Sequence, residues 1–179
     1  MPIGYERWQG GMADAAEPLL ALCRSVFPDF TDAYLLDRLP RLADPMLWLA
    51  VEGGAWKGFK LGYRRGDALL YSWLGGVAPE LRGKGVASEL MRLQHKAAAA
   101  QGYRFVETRT RAANNPMIVL NLRHGFQIAG FEIDAEGGEM PDHVAVELEF
   151  LYLLVFKQNE ARRAGEEVAI AGWDQLHDL

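Results

Sequence analysis

Arg82, Gly83, Lys84 and Gly85 stand where a β-like run ending at Val77 gives way, past Pro79, to a periodic apolar helix. A tight turn needs one glycine, and a helix N-terminus favours acidic side chains over basic ones. Two glycines and two cations at that place fit a bound anion. A helix start offers free N–H groups and partial positive charge, and glycine lets the backbone come close to phosphate oxygens. A phosphate or pyrophosphate would offset Arg82 and Lys84; the competing reading is an exposed turn with both cations in solvent. A P-loop is excluded, because Ala78 holds its first glycine position and Gly85 follows the lysine. A dinucleotide fingerprint loses its third glycine to Ser88 and here follows no parallel βαβ unit.

The elements that must position this turn are legible from periodicity. Asp14-Ala-Ala-Glu17 has the form of a capping box, and Leu19, Leu20, Leu22, Cys23, Val26 and Phe27 continue it as a first helix ending before Pro28. Thr31 is placed to cap a second helix, which Pro40 interrupts. Strands follow over 46–52, 56–65 and 68–77, and turns this short force an antiparallel meander. Val86, Leu90, Leu93, Ala97 and Ala98 give a helix stopped at Gly102. Residues 103–110 read as one strand. Asn115 and Pro116 read as the cap and first residue of a helix that ends at Gly125. Two more strands lie within 127–134 and 143–156. The order is ααβββαβαββ, with a short strand before Asp14.

Composition narrows the function classes. The 179 residues suit one domain with a sizeable core, taken as 1–157 with a tail over 158–179. The net charge of −5 argues against a nucleic-acid-binding face. A single cysteine, Cys23, excludes an intrachain disulfide and a multi-cysteine metal site, so no metal is expected. The N-terminus lacks the apolar core of a signal peptide, and the longest apolar run, 150–156, is far below the roughly 20 residues of a membrane span. A soluble, cytoplasmic protein with no membrane partner is expected. The apolar strand 151–156 and the tail's Val168, Ile170, Trp173 and Leu176 fit either packing on the body or a homodimer contact.

Val77-x-Pro79-x-x-Arg82-Gly83-Lys84-Gly85-Val86-Ala87 resembles the acyl-CoA motif of GNAT-type N-acetyltransferases, written Gln/Arg-x-x-Gly-x-Gly/Ala, with Arg82, Gly85 and Ala87 at its fixed positions. The Asn-led stretch from Asn114 to Gly125 and Phe126 is similar to the family's second signature, and the resemblance covers 5–157. It implies an α+β GNAT fold, a mixed, mostly antiparallel sheet flanked by helices on both faces. Acetyl-CoA would lie in a cleft where the strand ending at Val77 splays from the one starting near Tyr103. Backbone N–H groups of Arg82, Gly83, Lys84, Gly85, Val86 and Ala87 would hold its pyrophosphate. Free backbone groups around Gly75 and Val77 would pair with its pantetheine arm, and Asn114 or Asn121 would bond its amide portion. A neutral primary amine would attack the thioester directly, with a backbone N–H near Val77 polarising the carbonyl. The acceptor is a small-molecule amine or a protein N-terminus.

Two positions depart from the family pattern. Asn121 stands where many members carry a tyrosine that protonates the departing thiolate, and a carboxamide supplies no proton at neutral pH. His124, near the same helix face, and Tyr71 are the alternatives; the plain readings are an exposed histidine and a packing tyrosine. Trp73 stands where a glutamate base is often found. Glu107 is the first substitute and Glu52 and Glu132 the others, although Glu107 also suits a plain arginine pair. Trp73 itself would line the acceptor pocket, favouring an apolar or cationic amine. With both roles vacated, a module that binds acyl-CoA without turnover is the second function class.

Overall fold

The computed structural model describes residues 2–111 and 113–128, with the backbone alone at 132–133 and 148–150. Five strands form one sheet in the order β1 (Gly4–Arg7), β2 (Met46–Glu52), β3 (Ala55–Gly66), β4 (Leu69–Val77), β5 (Phe105–Glu107). The first four run antiparallel and β5 runs parallel to β4. Gly53 and Gly54 supply the two positive φ angles that the tight β2–β3 turn requires, so the meander forms as expected.

Helices α1 (Met12–Val26) and α2 (Asp32–Leu36) cover one face, and α3 (Val86–Ala100) and α4 (Asn115–Arg123) cover the other. Leu19, Leu35, Leu49, Phe59 and Leu61 close the first interface; Met46, Leu70, Met91 and Val106 close the second. Truncating any one of them to alanine costs about 2–5 kcal/mol. The glycine stops hold, since Gly102 and Gly125 take positive φ just past α3 and α4.

Three local readings need correction. Helix α1 begins at Met12 with Gly11 as its cap and no side-chain cap bond, so Asp14 lies inside the first turn and the capping box does not form. The cap of α4 is Asn114, whose Oδ1 accepts from the Met117 N–H at 3.3 Å; Asn115 and Pro116 follow it. The strand expected over 103–110 is two pieces. Its second piece, β6 (Thr110–Arg111), joins β7 (Glu132–Ile133) and β8 (Leu148–Phe150) in a separate sheet of order β6-β8-β7. The remainder of the last two expected strands, the tail and the homodimer contact lie outside the described residues.

The break in that strand has a cause on β4. Leu61 pairs with Leu74 and Gly62 with Ser72, which leaves Trp73 as an extra residue. This bulge carries Tyr71, Trp73 and Leu74 into the α1/α2 cluster. It follows immediately on the last β4–β5 pair, Tyr71 with Glu107. A bulge bends its strand and increases its twist, so β4 turns away from β5 at that point.

Candidate functional site

The edge of β4 that faces β5 is paired at Leu69, Leu70 and Tyr71. Beyond them, among the described residues, one side-chain bond crosses the gap, from Thr108 Oγ1 to the Ser72 carbonyl at 2.8 Å. The open edge leads through a 3₁₀ turn, Pro79–Leu81, into Gly83 and Gly85, with φ of +74° and +79°, and then into α3. The first intrahelical bond is from the Glu89 N–H to the Gly85 carbonyl, 3.0 Å, so the N–H groups of Val86, Ala87 and Ser88 precede the ladder. A Cβ on Gly83 or Gly85 would meet nothing within 4 Å; the glycines are required by backbone conformation. Lys84 is exposed beside them.

Arg82 behaves otherwise than expected. Its N–H is bonded to the Pro79 carbonyl at 3.2 Å, so it is not free to join a cradle. Its guanidinium donates to the carbonyls of Val26, 3.1 Å, and Val77, 3.4 Å. Val26 is the last residue of α1, where the helix dipole favours a cation. Arg82 thus clamps the end of α1 to the end of β4. The glycines at 75 and 76 also have an intramolecular reason. A Cβ on Gly76 would lie 2.6 Å from Val26 Cγ1, and one on Gly75 would lie 2.9 Å from Lys60 Cδ.

The α3/α4 side of the cleft carries an unusual run of buried polar groups. Asn121 is 2 % exposed; its Nδ2 donates to Thr110 Oγ1 at 3.2 Å, and its Oδ1 is buried without a partner. His124, at the C-cap of α4, is half-buried, and its Nε2 shares a 2.7 Å hydrogen bond with Ser88 Oγ, which corrects the expectation of an exposed ring. Burial, then the nearby Lys60 charge, holds His124 below the usual histidine range. His95 packs on Phe126 and His124, and burial pushes it down to about 3. Ser72 Oγ donates to Gln94 Oε1 at 2.7 Å. Lys60 is buried among these groups. Periodicity gave no signal for them beyond a lysine inside an apolar strand.

The α1/α2 side is aromatic. Trp73 is 8 % exposed; its Nε1 donates to the Tyr34 hydroxyl at 2.9 Å, and Tyr63 and Tyr71 continue the cluster. Burial pushes the Tyr71 phenol up to about 12. Glu107 lies beside Tyr71 across the strand pair, and its carboxylate accepts from Arg65 Nη1 at 2.6 Å. Glu52 closes the β2–β3 turn, two strands from β4. Asn114 is exposed and occupied as a helix cap. Of the expected set, Gly75 and Val77 lie on the open edge and Gly83, Gly85, Val86 and Ala87 follow it into α3, while Asn121 is bonded to Thr110 of β6. Tyr71, Trp73 and Glu107 flank the root of the open edge.

The family model described as acetyltransferase (GNAT) family matches residues 15–126, which run from α1 through α4. One described as nitrate reductase delta subunit matches residues 96–178, less than half of the chain. No curated protein matches significantly. Among solved structures, an IAA acetyltransferase from Bacillus cereus is 21 % identical with a TM-score of 0.63, over 75 % of this chain and 83 % of its own. The ribosomal-protein-S18-alanine N-acetyltransferase of Escherichia coli gives 11 % and 0.66 over the same shares. NAA60 of Arabidopsis thaliana, solved with acetyl-CoA, gives 22 % and 0.59 over 73 % and 87 %. These likenesses are of fold. No helix among the described residues is long and apolar enough to cross a membrane.

Proposed function

Because the chain belongs to the GNAT acetyltransferase family, we propose that it moves an acetyl group from acetyl-CoA to a primary amine by direct attack of the neutral amine on the thioester. The observation that carries this reading is the open edge of β4, which runs from the bulge at Trp73 into two left-handed glycines at the start of α3. An unpaired strand edge suits the amides of a pantetheine arm, and the N–H groups of Gly83 through Ala87 suit a pyrophosphate. The buried Oδ1 of Asn121, which has no partner, supports a role in accepting one cofactor N–H.

Holding donor and acceptor together supplies much of the rate in such a transfer. A backbone N–H at the open edge near Val77 would polarise the thioester carbonyl. Tyr71 serves as a hydrogen-bond donor that keeps its proton, given its raised pKa. Glu107 is occupied by Arg65, which supports a share in positioning over base catalysis. Trp73 and Tyr34 form an aromatic wall on the acceptor side. The acceptor is a small-molecule amine or a protein N-terminus, and Cys23, a buried free thiol, agrees with a cytoplasmic setting.

Calorimetric titration with acetyl-CoA, CoA and NADPH tests the assignment. Micromolar binding of acetyl-CoA, weakened about tenfold in Arg82→Ala as the clamp on β4 is lost, is the expected result. Binding of neither CoA species would overturn it. Tight binding without turnover on a panel of amines would favour a sensing module instead, the reading that Asn121 and Trp73 in the two vacated positions support.

A further inference from the structure

Lys60, in β3, is 6 % exposed, and none of the hydrogen bonds or ion pairs among the described residues uses it. Its register partner on β4 is Gly75. A Cβ at position 75 would lie 2.9 Å from Lys60 Cδ and 3.7 Å from its Nζ. The lysine arm therefore occupies the space of the missing side chain and crosses β4 at its open edge. His95 of α3 and His124 at the end of α4 both feel its charge. His95 is neutral there, and no carboxylate of the described residues pairs with Lys60. Burial brings the ammonium down to about 8, into the range of thiols, of which cysteine's roughly 8.5 is the reference. An acid whose pKa lies near that of the group it protonates transfers a proton efficiently.

Resting on the acetyltransferase reading above, we propose that Lys60 is the acid for the departing cofactor, filling the role that Asn121 cannot. The acceptor nitrogen forms a bond to the acetyl carbonyl carbon. As the tetrahedral adduct collapses, the carbon–sulfur bond breaks and its electron pair goes to sulfur. The Lys60 ammonium gives that sulfur its proton, releasing CoA as the free thiol. The extra proton on the new amide nitrogen leaves to solvent or back to the Lys60 amine, and the cycle closes. Before that transfer, the same ammonium stabilises the thiolate, which makes the idea testable without knowing the acceptor.

The experiment compares binding of CoA and desulfo-CoA to wild type, Lys60→Met and Lys60→Arg from about pH 6.5 to about 9.5, with ultraviolet absorbance reporting the bound thiolate. In wild type, the bound thiol is expected to titrate below the free thiol, with the preference for CoA over desulfo-CoA rising about threefold to a maximum near pH 8 and falling again as Lys60 loses its proton. Lys60→Arg keeps that preference, and Lys60→Met loses it while binding desulfo-CoA as wild type does. An unshifted thiol in wild type, or the same shift in Lys60→Met, overturns the role of Lys60 and leaves the cofactor site standing. Failure of wild type to bind either compound overturns the acetyltransferase reading and this proposal with it. Lys60→Gln replaces Lys60→Met if the latter does not fold.

Discussion

A methyl group at position 76 has nowhere to go. Gly76 is not among the positive-φ glycines, so its requirement is contact alone: Val26 Cγ1 would lie 2.6 Å from the new Cβ. Gly76→Ala must push the end of α1 off β4 and is expected to cost about 1–3 kcal/mol, read as a lowered Tm. Val26→Ala in the same chain should restore most of the loss; additive losses would show that the contact is not the cause. The Arg65–Glu107 pair gives a second residue-level test. The Glu107 side chain is 5 % exposed and that of Arg65 42 %. Removing Arg65 strands a buried carboxylate, whereas Glu107→Gln leaves a cation that water can reach. Arg65→Met is therefore expected to be the more destabilising, by roughly 1–3 kcal/mol in urea unfolding; equal losses would deny that asymmetry. The sequence shows glycine at 75 and 76 but not that Lys60 and Val26 approach them. That depends on register across β3–β4 and on the seat of α1, which local pattern does not encode.

At the scale of elements, period and punctuation were enough for the meander, for α3 and α4, and for the helix stops at Gly102 and Gly125. They failed where two adjacent residues offer the same chemistry or where the deciding partner is distant. Asn114 and Asn115 have equal capping propensity, and the Met117 N–H chooses between them. Residues 103–110 are uniformly strand-forming, yet the bulge at Trp73 removes their partner after Glu107. The turn into α3 was legible as a glycine-rich helix start, and Gly83 and Gly85 do take positive φ there, while the contacts of Arg82 with Val26 and Val77 were not legible. Gly85 isolates the backbone contribution of that turn, since a Cβ there meets nothing. Gly85→Ala pays left-handed strain of about 1–2 kcal/mol in stability, and by re-aiming the first N–H groups of α3 it is expected to weaken acetyl-CoA binding about tenfold. Lost stability with unchanged affinity would remove Gly85 from the cradle.

Across the whole molecule, the two faces of the sheet are buried in different currencies. The α1/α2 face is aliphatic and aromatic, whereas the α3/α4 face holds Lys60, Ser72, Gln94, His95 and Asn121 out of water. Such groups lower stability unless something pairs with them, and pH reads the cost. His95 has a folded pKa near 3, well below its unfolded value of about 6.5. The unfolded chain therefore binds the extra proton between those values, and stability is lost as pH falls through that window. Lys60 does the same between about 8 and 10.5, so wild-type stability gains from it as pH rises there. Cys23 and Tyr71, raised to about 12, act in the opposite sense above their unfolded values and mask that gain. The difference between wild type and Lys60→Met removes the masking, because both chains share those groups. With a pKa lowered from 10.5 to about 8, at 1.36 kcal/mol per unit, the variant is expected to be more stable by roughly 3 kcal/mol at pH 7. That advantage should shrink toward zero near pH 10.5, where neither state of wild type carries a full charge. An advantage of equal size at both pH values would mean that the ammonium is not penalised by burial. The predicted pattern, together with loss of the thiolate effect, would make Lys60 a cation that the fold carries at a loss and the bound cofactor alone can use.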